Sequence, residues 1–453
     1  MMKLQSINPA TGAEIRTYDE HSAADVERRI QLAHDGWKIW SATPIAERSA
    51  LLHRLAVLLD ERAEQYGRLL VSEMGKPIGE AIAEVRKCAT GARHFADEGP
   101  TYLADEAIPG TPARIVYRSL GPVFAVMPWN LPFWQVMRLF FSIALVGNSL
   151  LVKHAENVQG CAEALEQLIR DAGAPAGLYG NLAIQREESA RIIADPRIRA
   201  VSVTGSVRAG RAVAEQAGSA GKKVVLELGG SDPFIVFEDA DLDRAVQLGV
   251  QSRFSNNAQS CIAAKRFFVA KPVAKKFTDA YVAAVRDLRV GDPADPATRL
   301  GPLARADLRD NLHRQVQDAV KAGATVLAGG HPMAGPGYFY EPTVLTGLPL
   351  DAPVAREEIF GPVATIWTFD GEEEAIQLAN DSDYGLGATI ISANSERAQR
   401  VAGKIESGIV FINDFLRSDP RAPFGGMKAS GFGRELGGLG ARELANAKVI
   451  WGE

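Results

Sequence analysis

The chain has little of what marks secreted, metal-binding or membrane-spanning proteins. Its 453 residues contain three cysteines, Cys88, Cys161 and Cys261, and this odd, widely spaced set argues against a disulfide framework and favours a reducing compartment. No cysteine–histidine cluster has metal-ligand spacing, so we expect no metal. No apolar run approaches the roughly 18 residues of a membrane span. The opening residues Met1–Pro9 lack the pattern of a signal or transit peptide, and we expect a cytoplasmic protein.

The chain also has little excess of charge of either sign. A net charge of −5 is small for 453 residues, so neither a nucleic-acid nor a membrane-surface partner is indicated. A hydrophobic content of 46% and a charged content of 23% are typical of a globular protein. The length allows two or three domains. The usual Gly-x-Gly-x-x-Gly fingerprint of dinucleotide-binding folds is absent, which leaves any cofactor motif to be found elsewhere.

Apolar segments alternate with helical patterns after an opening that is mainly helical, with helix starts near Ser22, Pro44 and Pro77. This rhythm predicts a parallel, doubly wound sheet in the first half and a second α/β unit after it. The predicted strands are 121–127, 149–153, 199–203, 223–228, 233–237, 265–270, 363–369, 386–391 and 408–412, and the predicted helices are 132–145, 157–172, 206–218, 241–254, 272–288 and 394–405. A turn at Pro109–Pro112 followed by alternation predicts an exposed β-hairpin arm.

One cysteine stands among small polar residues, in the segment Asn256–Cys261. A structural cysteine usually lies in an apolar run. A thiol nucleophile instead needs access to substrate and neighbours that favour the thiolate. The segment therefore makes Cys261 a candidate nucleophile, with a structural cysteine as the alternative.

Two further polar residues follow apolar strands. Glu227 precedes Gly229 and Gly230 at the end of a predicted strand, where α/β enzymes hold their chemistry; a strand-end glutamate paired with a lysine is the alternative. Asn130 lies between two prolines after another strand, and its amide N–H can stabilise a developing oxyanion. The alternative for Asn130 is a helix cap.

Two stretches of the doubly wound half suggest a nucleotide site. Gly205 and Ser206 follow a strand and open a helix, where backbone N–H groups can bind a pyrophosphate. Lys153 and Glu156 follow the strand near 149–153 and can reach a ribose, although two solvated surface charges are the alternative. A carboxylate at Glu156 would repel a 2′-phosphate, which favours NAD over NADP.

These segments together resemble the aldehyde dehydrogenase superfamily. The resemblance rests on Leu226–Gly230, Asn257–Cys261, Met127–Asn130, Thr204–Ser206 and Glu357–Pro362, in the family's order and spacing. It runs from Ile7–Gly12 to Gly431–Glu435 and is strongest to the short bacterial succinate-semialdehyde dehydrogenases. It implies an NAD(P)-binding domain (1–101 and 120–228), a catalytic domain (229–428), and an oligomerisation arm with a C-terminal strand (102–119 and 429–453). A homodimer or homotetramer is expected.

The resemblance also implies residue roles. Cys261 would attack the aldehyde, Asn130 would hold the oxyanion and Glu227 would activate the water that hydrolyses the thioester. The implied cofactor residues are Trp129, Lys153, Glu156, Gly205, Ser206, Leu228, Glu358 and Phe360, for NAD with NADP as the alternative. For Glu358 and Phe360, a helix-start carboxylate and a core aromatic are the alternatives.

The substrate is expected to be succinate semialdehyde, which the enzyme would oxidise to succinate. The matching arginine, Arg138, binds the distal carboxylate in some relatives; a helix arginine paired with an acid is the alternative. The arginine that other members carry six residues before the cysteine is here Ser255, and Arg253, Ser418 and Arg421 are the candidate replacements. Two other functions stay open: a broad-specificity aliphatic or ω-oxo-acid aldehyde dehydrogenase, and a non-catalytic protein on the same fold.

Overall fold

The computed structural model describes residues 4–452. Residues 1–3, in the predicted NAD(P)-binding domain, and residue 453, in the predicted C-terminal segment, lie outside the described residues. The helices are α1 (Ala23–Ala42), α2 (Ile45–Glu61), α3 (Ala63–Met74), α4 (Ile78–Asp97), α5 (Gly99–Tyr102), α6 (Trp134–Val146), α7 (Gln159–Asp171), α8 (Ser189–Ala194), α9 (Val207–Ser219), α10 (Leu242–Phe254), α11 (Lys271–Arg286), α12 (Ala306–Lys321), α13 (Pro353–Arg356), α14 (Glu372–Asn380), α15 (Ser395–Ala402) and α16 (Gly437–Glu443). No helix within 4–452 is both long and apolar enough to cross a bilayer.

The strands form two large sheets and three small ones. They are β1 (Leu4–Ile7), β2 (Glu14–Tyr18), β3 (Glu106–Ala107), β4 (Ala113–Ser119), β5 (Pro122–Met127), β6 (Ser149–His154), β7 (Tyr179–Asn181), β8 (Ala200–Thr204), β9 (Lys223–Glu227), β10 (Asp232–Val236), β11 (Ala264–Ala270), β12 (Thr325–Ala328), β13 (Thr343–Thr346), β14 (Val363–Phe369), β15 (Tyr384–Gly385), β16 (Gly387–Ile391), β17 (Ile409–Ile412), β18 (Met427–Lys428), β19 (Gly431–Phe432) and β20 (Ala445–Trp451).

The first large sheet confirms the predicted doubly wound arrangement. Its order is β19-β9-β8-β5-β6-β7, parallel throughout except for β19. The chain runs from β5 through β6 to β7 and then crosses back to β8 and β9, so the strand order reverses between β5 and β8. Ligands of such sheets bind beyond the carboxyl ends of the strands at this reversal. The turn with Asn130 follows β5 and Gly205 follows β8, which places both there.

The second large sheet has the order β12-β13-β14-β11-β10-β16-β17, with only β12 antiparallel. The proposed boundary between residues 228 and 229 falls in the short connection from β9 to β10, which belong to different sheets. Cys261 lies just before β11, so it stands at the amino end of the second sheet. Glu227 ends β9 at the carboxyl edge of the first. The two predicted catalytic groups therefore come from facing edges of the two sheets.

The predicted arm differs from the structure in one part. Strand β4 pairs along its whole length with β20 of the same chain, and β3 completes a three-stranded antiparallel sheet. Residues 429–444, predicted to accompany the arm, instead lie on the first large sheet, where β19 pairs with β9 and α16 packs on α6. Gly431, at φ 109°, permits this close pairing, since a Cβ there would lie 2.0 Å from the Leu226 carbonyl oxygen.

Helix α4 fixes the start of α6. Its buried Glu84 accepts the backbone N–H groups of Phe133 at 2.9 Å and Trp134 at 3.0 Å and forms a buried ion pair with Lys76. The first N–H groups of a helix have no partner within the helix, and a carboxylate there also complements the helix dipole. Glu84 thereby holds the turn that carries Asn130.

We expect Glu84→Ala to destabilise the protein by about 3–5 kcal/mol, because it leaves Lys76 buried without its partner and two amides unsatisfied. The midpoint of urea unfolding measures the effect. The control is Glu64→Ala, on the exposed face of α3, which should cost no more than about 1 kcal/mol. Equal midpoints for the two variants would contradict this role of Glu84.

Candidate active site

The loop before Cys261 has an unusual backbone. Asn256, Asn257 and Ala258 adopt left-handed conformations with φ of 57°, 54° and 57°. Each such residue with a Cβ costs of order 1–3 kcal/mol and persists only where surrounding contacts hold it. The Asn257 side chain supplies several of these contacts: Nδ2 donates to the Gly75 and Pro302 carbonyls at 2.7 and 3.0 Å. The loop is therefore anchored to the end of α3 and to the segment before α12.

The Asn130 turn and the cysteine loop are joined by hydrogen bonds. Asn130 Nδ2 donates to the Gln259 carbonyl oxygen at 2.9 Å, and Asn256 Nδ2 donates to the Asn130 carbonyl oxygen at 3.0 Å. Gln135 Nε2 donates to Asn130 Oδ1 at 3.1 Å and fixes which end of the amide faces the loop. One N–H of the Asn130 amide thus donates to the backbone two residues before Cys261. The other N–H has no acceptor among the described residues.

Glu227 is buried at the end of β9, and neither carboxyl oxygen has a hydrogen-bond partner within residues 4–452. A Cβ at Gly425 would lie 2.7 Å from Glu227 Oε1, so the absence of a side chain there makes room for the carboxyl group. Burial raises the pKa of Glu227 well above its ordinary value, Arg138 opposes the rise, and Glu435 adds to it. A carboxyl group in this state can take up a proton near neutral pH.

Arg138 is placed differently from its predicted role. Its side chain is buried, forms an ion pair with Glu435, and stacks 4.7 Å from the Phe424 ring centroid. Because Glu435 already balances its charge, Arg138 corresponds to the alternative of an arginine paired with an acid. The pKa values of Glu227 and Cys261 are both raised by burial, and the positive charge of Arg138 opposes both rises. Arg138 therefore acts on both catalytic candidates through its charge.

The Cys261 thiol is partly buried and unpaired, while Cys88 and Cys161 are fully buried. Burial raises the pKa of Cys261 to about 11, and the charges of Arg138 and Lys265 oppose that rise. A protein that uses this thiol as a nucleophile must therefore remove its proton at the site rather than rely on a free thiolate.

Lys265 is a residue that the sequence reasoning missed. It is buried, and its Nζ donates to the Cys261 carbonyl oxygen at 2.7 Å and to the Ser260 carbonyl oxygen at 3.2 Å. It also lies 3.4 Å from Glu358 Oε1. Lys265 therefore joins the cysteine loop to a predicted cofactor residue. The signal in the sequence is a lysine four residues after the cysteine, near the start of a buried strand.

The predicted cofactor residues lie around the strand reversal of the first sheet. Lys153 Nζ is 3.5 Å from Glu156 Oε1 beyond β6, and Ser206 caps α9 by accepting the Ala209 N–H. A Cβ at Gly205 would meet no atom within 4 Å, so the space in front of this helix end is open. A phosphate group fits an open helix N-terminus.

The remaining cofactor candidates lie nearer the cysteine loop. The Trp129 and Phe360 rings meet edge to face with centroids 5.8 Å apart. Glu358 Oε1 accepts the Gly230 N–H at 3.0 Å. Leu228 packs against Gly210 of α9, where a Cβ would lie 2.5 Å from its methyl groups. These residues and the open helix end fit a dinucleotide that extends from α9 towards Cys261.

Two of the predicted substrate residues are engaged by other groups of the protein. Arg253 is fully buried and donates to the backbone carbonyls of Val363 at 2.7 Å and Ile359 at 3.0 Å, so it holds the chain before β14 rather than a substrate. Arg421 is exposed and makes two contacts with Asp419, at 2.8 and 2.6 Å. Backbone carbonyls therefore engage the guanidinium group of Arg253, and the Asp419 carboxylate engages that of Arg421.

Ser418 is the substrate candidate that lines a cavity. The cavity has a volume of about 460 Å³, and its walls include Ile82, Arg86, Lys87, Thr90, Arg417 and Ser418. Trp134 donates its indole N–H to Ser418 Oγ at 2.9 Å. Through this hydrogen bond, the Ser418 loop contacts the first residue of α6, four residues after Asn130. Lys87 is a second residue that the sequence reasoning missed.

Comparisons with known proteins agree with the geometry. The model of the aldehyde dehydrogenase family matches residues 2–450. The chain is 47% identical over 448 residues to a protein of Escherichia coli K12 named succinate semialdehyde dehydrogenase, NAD(P)+, covering 98% of this chain and 97% of that one. It is 46% identical over 452 residues to a probable NADP+ succinate-semialdehyde dehydrogenase of Synechocystis, covering 99% and 100%. The crystal structure of succinic semialdehyde dehydrogenase from Streptococcus pyogenes with NADP+ is similar at a TM-score of 0.97, with 39% identity and 99% coverage of both chains.

Lys265→Met should raise the pKa of the Cys261 thiol further, because a positive charge beside its carbonyl is lost. We expect iodoacetamide to alkylate Cys261 about three- to tenfold more slowly at a fixed, near-neutral pH. The two other cysteines are buried, so the reaction reports on Cys261. Two control variants should alkylate at about the wild-type rate. Lys265→Arg keeps the buried charge, and Lys271→Met removes an exposed charge on α11. An unchanged alkylation rate in Lys265→Met would refute this influence.

Proposed function

The chain belongs to the aldehyde dehydrogenase family, and on that basis we propose that it oxidises succinate semialdehyde to succinate with NAD(P)+. The reaction is supported by the placement of three groups: Glu227 at the carboxyl end of β9, Cys261 just before β11, and Asn130 hydrogen-bonded to the loop that carries Cys261. The charge of Arg138 interacts with both Glu227 and Cys261. The full-length relatives named for this substrate support its identity. The alternative is a broad-specificity aliphatic or ω-oxo-acid aldehyde dehydrogenase, which the pairing of Arg138 with Glu435 favours.

The reaction begins at Cys261. Its sulfur forms a bond to the aldehyde carbon as the thiol proton is lost, and the carbonyl oxygen becomes an oxyanion. Asn130 is held by Gln259 and Gln135, so its remaining N–H can donate to that oxyanion without reorganising. The backbone N–H of Cys261 is the second proposed donor.

NAD(P)+, when bound, accepts the hydride that leaves the aldehyde carbon. Lys153, Glu156, Gly205 and Ser206 would hold its adenosine and phosphate groups, and the residues near Cys261 would hold its nicotinamide end. The latter are Trp129, Leu228, Glu358 and Phe360. Since a carboxylate at Glu156 repels a 2′-phosphate, we propose that this chain prefers NAD.

Glu227 completes the cycle. A thioester on Cys261 must be hydrolysed, and Glu227 removes a proton from the attacking water as the water oxygen bonds to the thioester carbon. The carbon–sulfur bond then breaks, succinate leaves and the thiol is regenerated. Because burial raises the pKa of Glu227, the group holds the proton long enough to return it to the departing sulfur or to solvent.

We further propose a cytoplasmic homo-oligomer, a homodimer or homotetramer. Strand β20 supports this proposal, because Val449 and Trp451 on it are 54% and 69% exposed. An exposed strand that carries large apolar side chains favours pairing with another sheet.

The substrate is tested by kcat/KM for succinate semialdehyde against butanal, which has the same number of carbons and no carboxylate. A charge-assisted contact to the distal carboxylate should favour succinate semialdehyde by roughly a hundredfold or more. Glutarate semialdehyde in the same assay tests chain length. Near-equal values for succinate semialdehyde and butanal would select the broad-specificity alternative.

Glu227→Gln should stop the cycle after the thioester forms, because glutamine cannot take the proton from water. We expect kcat to fall by about 10²–10⁴, and mass spectrometry of the variant with substrate and NAD should show the acyl adduct on Cys261. The adduct should be absent when Cys261→Ala is added. A Glu227→Gln variant that turns over normally would exclude Glu227 as the base.

A further inference from the structure

Asp232 is a buried carboxylate that the reaction steps above do not use. It is the first residue of β10 and is 3% exposed. Its Oδ1 accepts the Gly387 N–H at 3.2 Å, and its Oδ2 has no hydrogen-bond partner among residues 4–452. A Cβ at Gly387 would lie 2.7 Å from Oδ2, so a residue without a side chain leaves room for this oxygen. A buried carboxylate with an unused oxygen is costly, and its charge therefore needs an explanation.

Asp232 lies next to the backbone of the nucleophile. A Cβ at Gly230 would lie 2.8 Å from Asp232 Oδ1 and 2.8 Å from the Cys261 carbonyl oxygen, so the two oxygens flank the same glycine. Lys265 Nζ donates to that Cys261 carbonyl at 2.7 Å. The pairing of β10 with β11 shifts register directly after Asp232, and the residue of β11 that the shift skips is Lys265. A carboxylate and an ammonium group therefore come from neighbouring strands to the same peptide group of the nucleophile.

A small cavity gives Asp232 a route for its proton. The cavity has a volume of about 10 Å³, which is room for about one water molecule. Its other polar side chains are Ser231, Arg266, Tyr384, Glu406 and Ser407. Because Glu406 in this wall is exposed, we expect a water molecule in the cavity to connect Asp232 with solvent. The carboxyl group can then gain or lose a proton while the fold stays closed.

The charges that face Asp232 come from two segments. Burial raises the pKa of Asp232 to about 7, against the positive charges of Lys265 and Arg266 on β11, while Glu358 before β14 adds to the rise. The same charges act on the nucleophile with opposite signs, since Lys265 lowers the pKa of Cys261 and Asp232 raises it. Asp232 thus changes its charge in a pH range in which the Cys261 thiol, with a pKa of about 11, is still protonated.

We propose that Asp232 is a positioning residue for the nucleophile and that it acts through its charge. Ionised, it offsets the charge of Lys265 and holds Cys261 as the thiol. Protonated, it leaves Lys265 with Glu358 as its counter-charge and favours the thiolate. This role rests on the proposed function of Cys261 and adds a control on its reactivity, because a thiol reacts more slowly than a thiolate with oxidants and alkylating agents.

The test measures the rate at which iodoacetamide alkylates Cys261 from about pH 5.5 to about pH 9 in wild type, Asp232→Asn and Asp243→Asn. Asparagine keeps an oxygen for the Gly387 N–H and removes the charge. We expect the rate in Asp232→Asn, divided by the wild-type rate, to be about one below about pH 6 and to rise to about two- to fivefold above about pH 8. Asp243 is the matched control, an exposed aspartate on α10, and Asp243→Asn should give a ratio of about one at every pH.

A second background checks the partner of Asp232. Lys265 lowers the pKa of Asp232. When Asp232→Asn is compared with its parent in a Lys265→Met background, the rise in the ratio should therefore move to higher pH. A rise at the same pH in both backgrounds would contradict the pairing of Asp232 with Lys265.

The shape of the ratio decides the proposal. A ratio of one throughout, or a ratio that differs from one by the same factor at every pH, overturns it, because a purely structural change does not follow the titration of a carboxyl group. If Asp232→Asn does not fold, Asp232→Ser also removes the charge and carries the same test. Alkylation needs no turnover, so the proposed function fails separately: a wild-type protein that oxidises no aldehyde with NAD(P)+ overturns that function, and the alkylation ratio still decides the role of Asp232.

Discussion

The left-handed loop before Cys261 is the constraint on which the rest of the site depends. A residue with a Cβ pays roughly 1–2 kcal/mol for this conformation, and Asn256, Asn257 and Ala258 adopt it in succession. The contacts that offset the cost come from distant parts of the chain, among them the Gly75 carbonyl and the Glu80 carboxylate, which accepts the Asn256 N–H at 2.6 Å. The position of the nucleophile therefore depends on tertiary contacts with the end of α3 and the start of α4.

The site also depends on a single arginine, Arg138, whose charge acts on several acidic groups at once. Arg138 pairs directly with Glu435, yet its charge lowers the pKa of both Glu227 and Cys261. Burial raises the pKa values of both carboxyl groups, and one guanidinium group cannot balance two buried carboxylates and a thiolate at once. Since Glu435 has the direct contact, Glu227 is the group left to exchange a proton. The pairing that removes Arg138 from the substrate thus helps to set the base.

Local patterns predicted the fold class and the catalytic candidates, because each rests on neighbouring residues. The alternation of strands and helices determines the doubly wound sheet, and Cys261 and Glu227 stand in short motifs. Contacts between residues far apart in the chain were not predictable: Arg253 donates to carbonyls 106 and 110 residues away, and Lys87 donates to Ser418, 331 residues away. No spacing rule reports such contacts, and the same limit hid Lys265, whose partner Glu358 lies on another loop.

Three side chains on one face of helix α4 contact three different segments around the site. Glu80 holds the cysteine loop, Glu84 holds the start of α6, and Lys87 lies at the cavity wall, at intervals of four and three residues that share one side of a helix. One turn of a helix advances about 5.4 Å, so α4 holds the Cys261 loop and the Asn130 turn at a fixed spacing through Glu80 and Glu84. A displacement of this helix would therefore carry both segments together and would leave their relative placement unchanged.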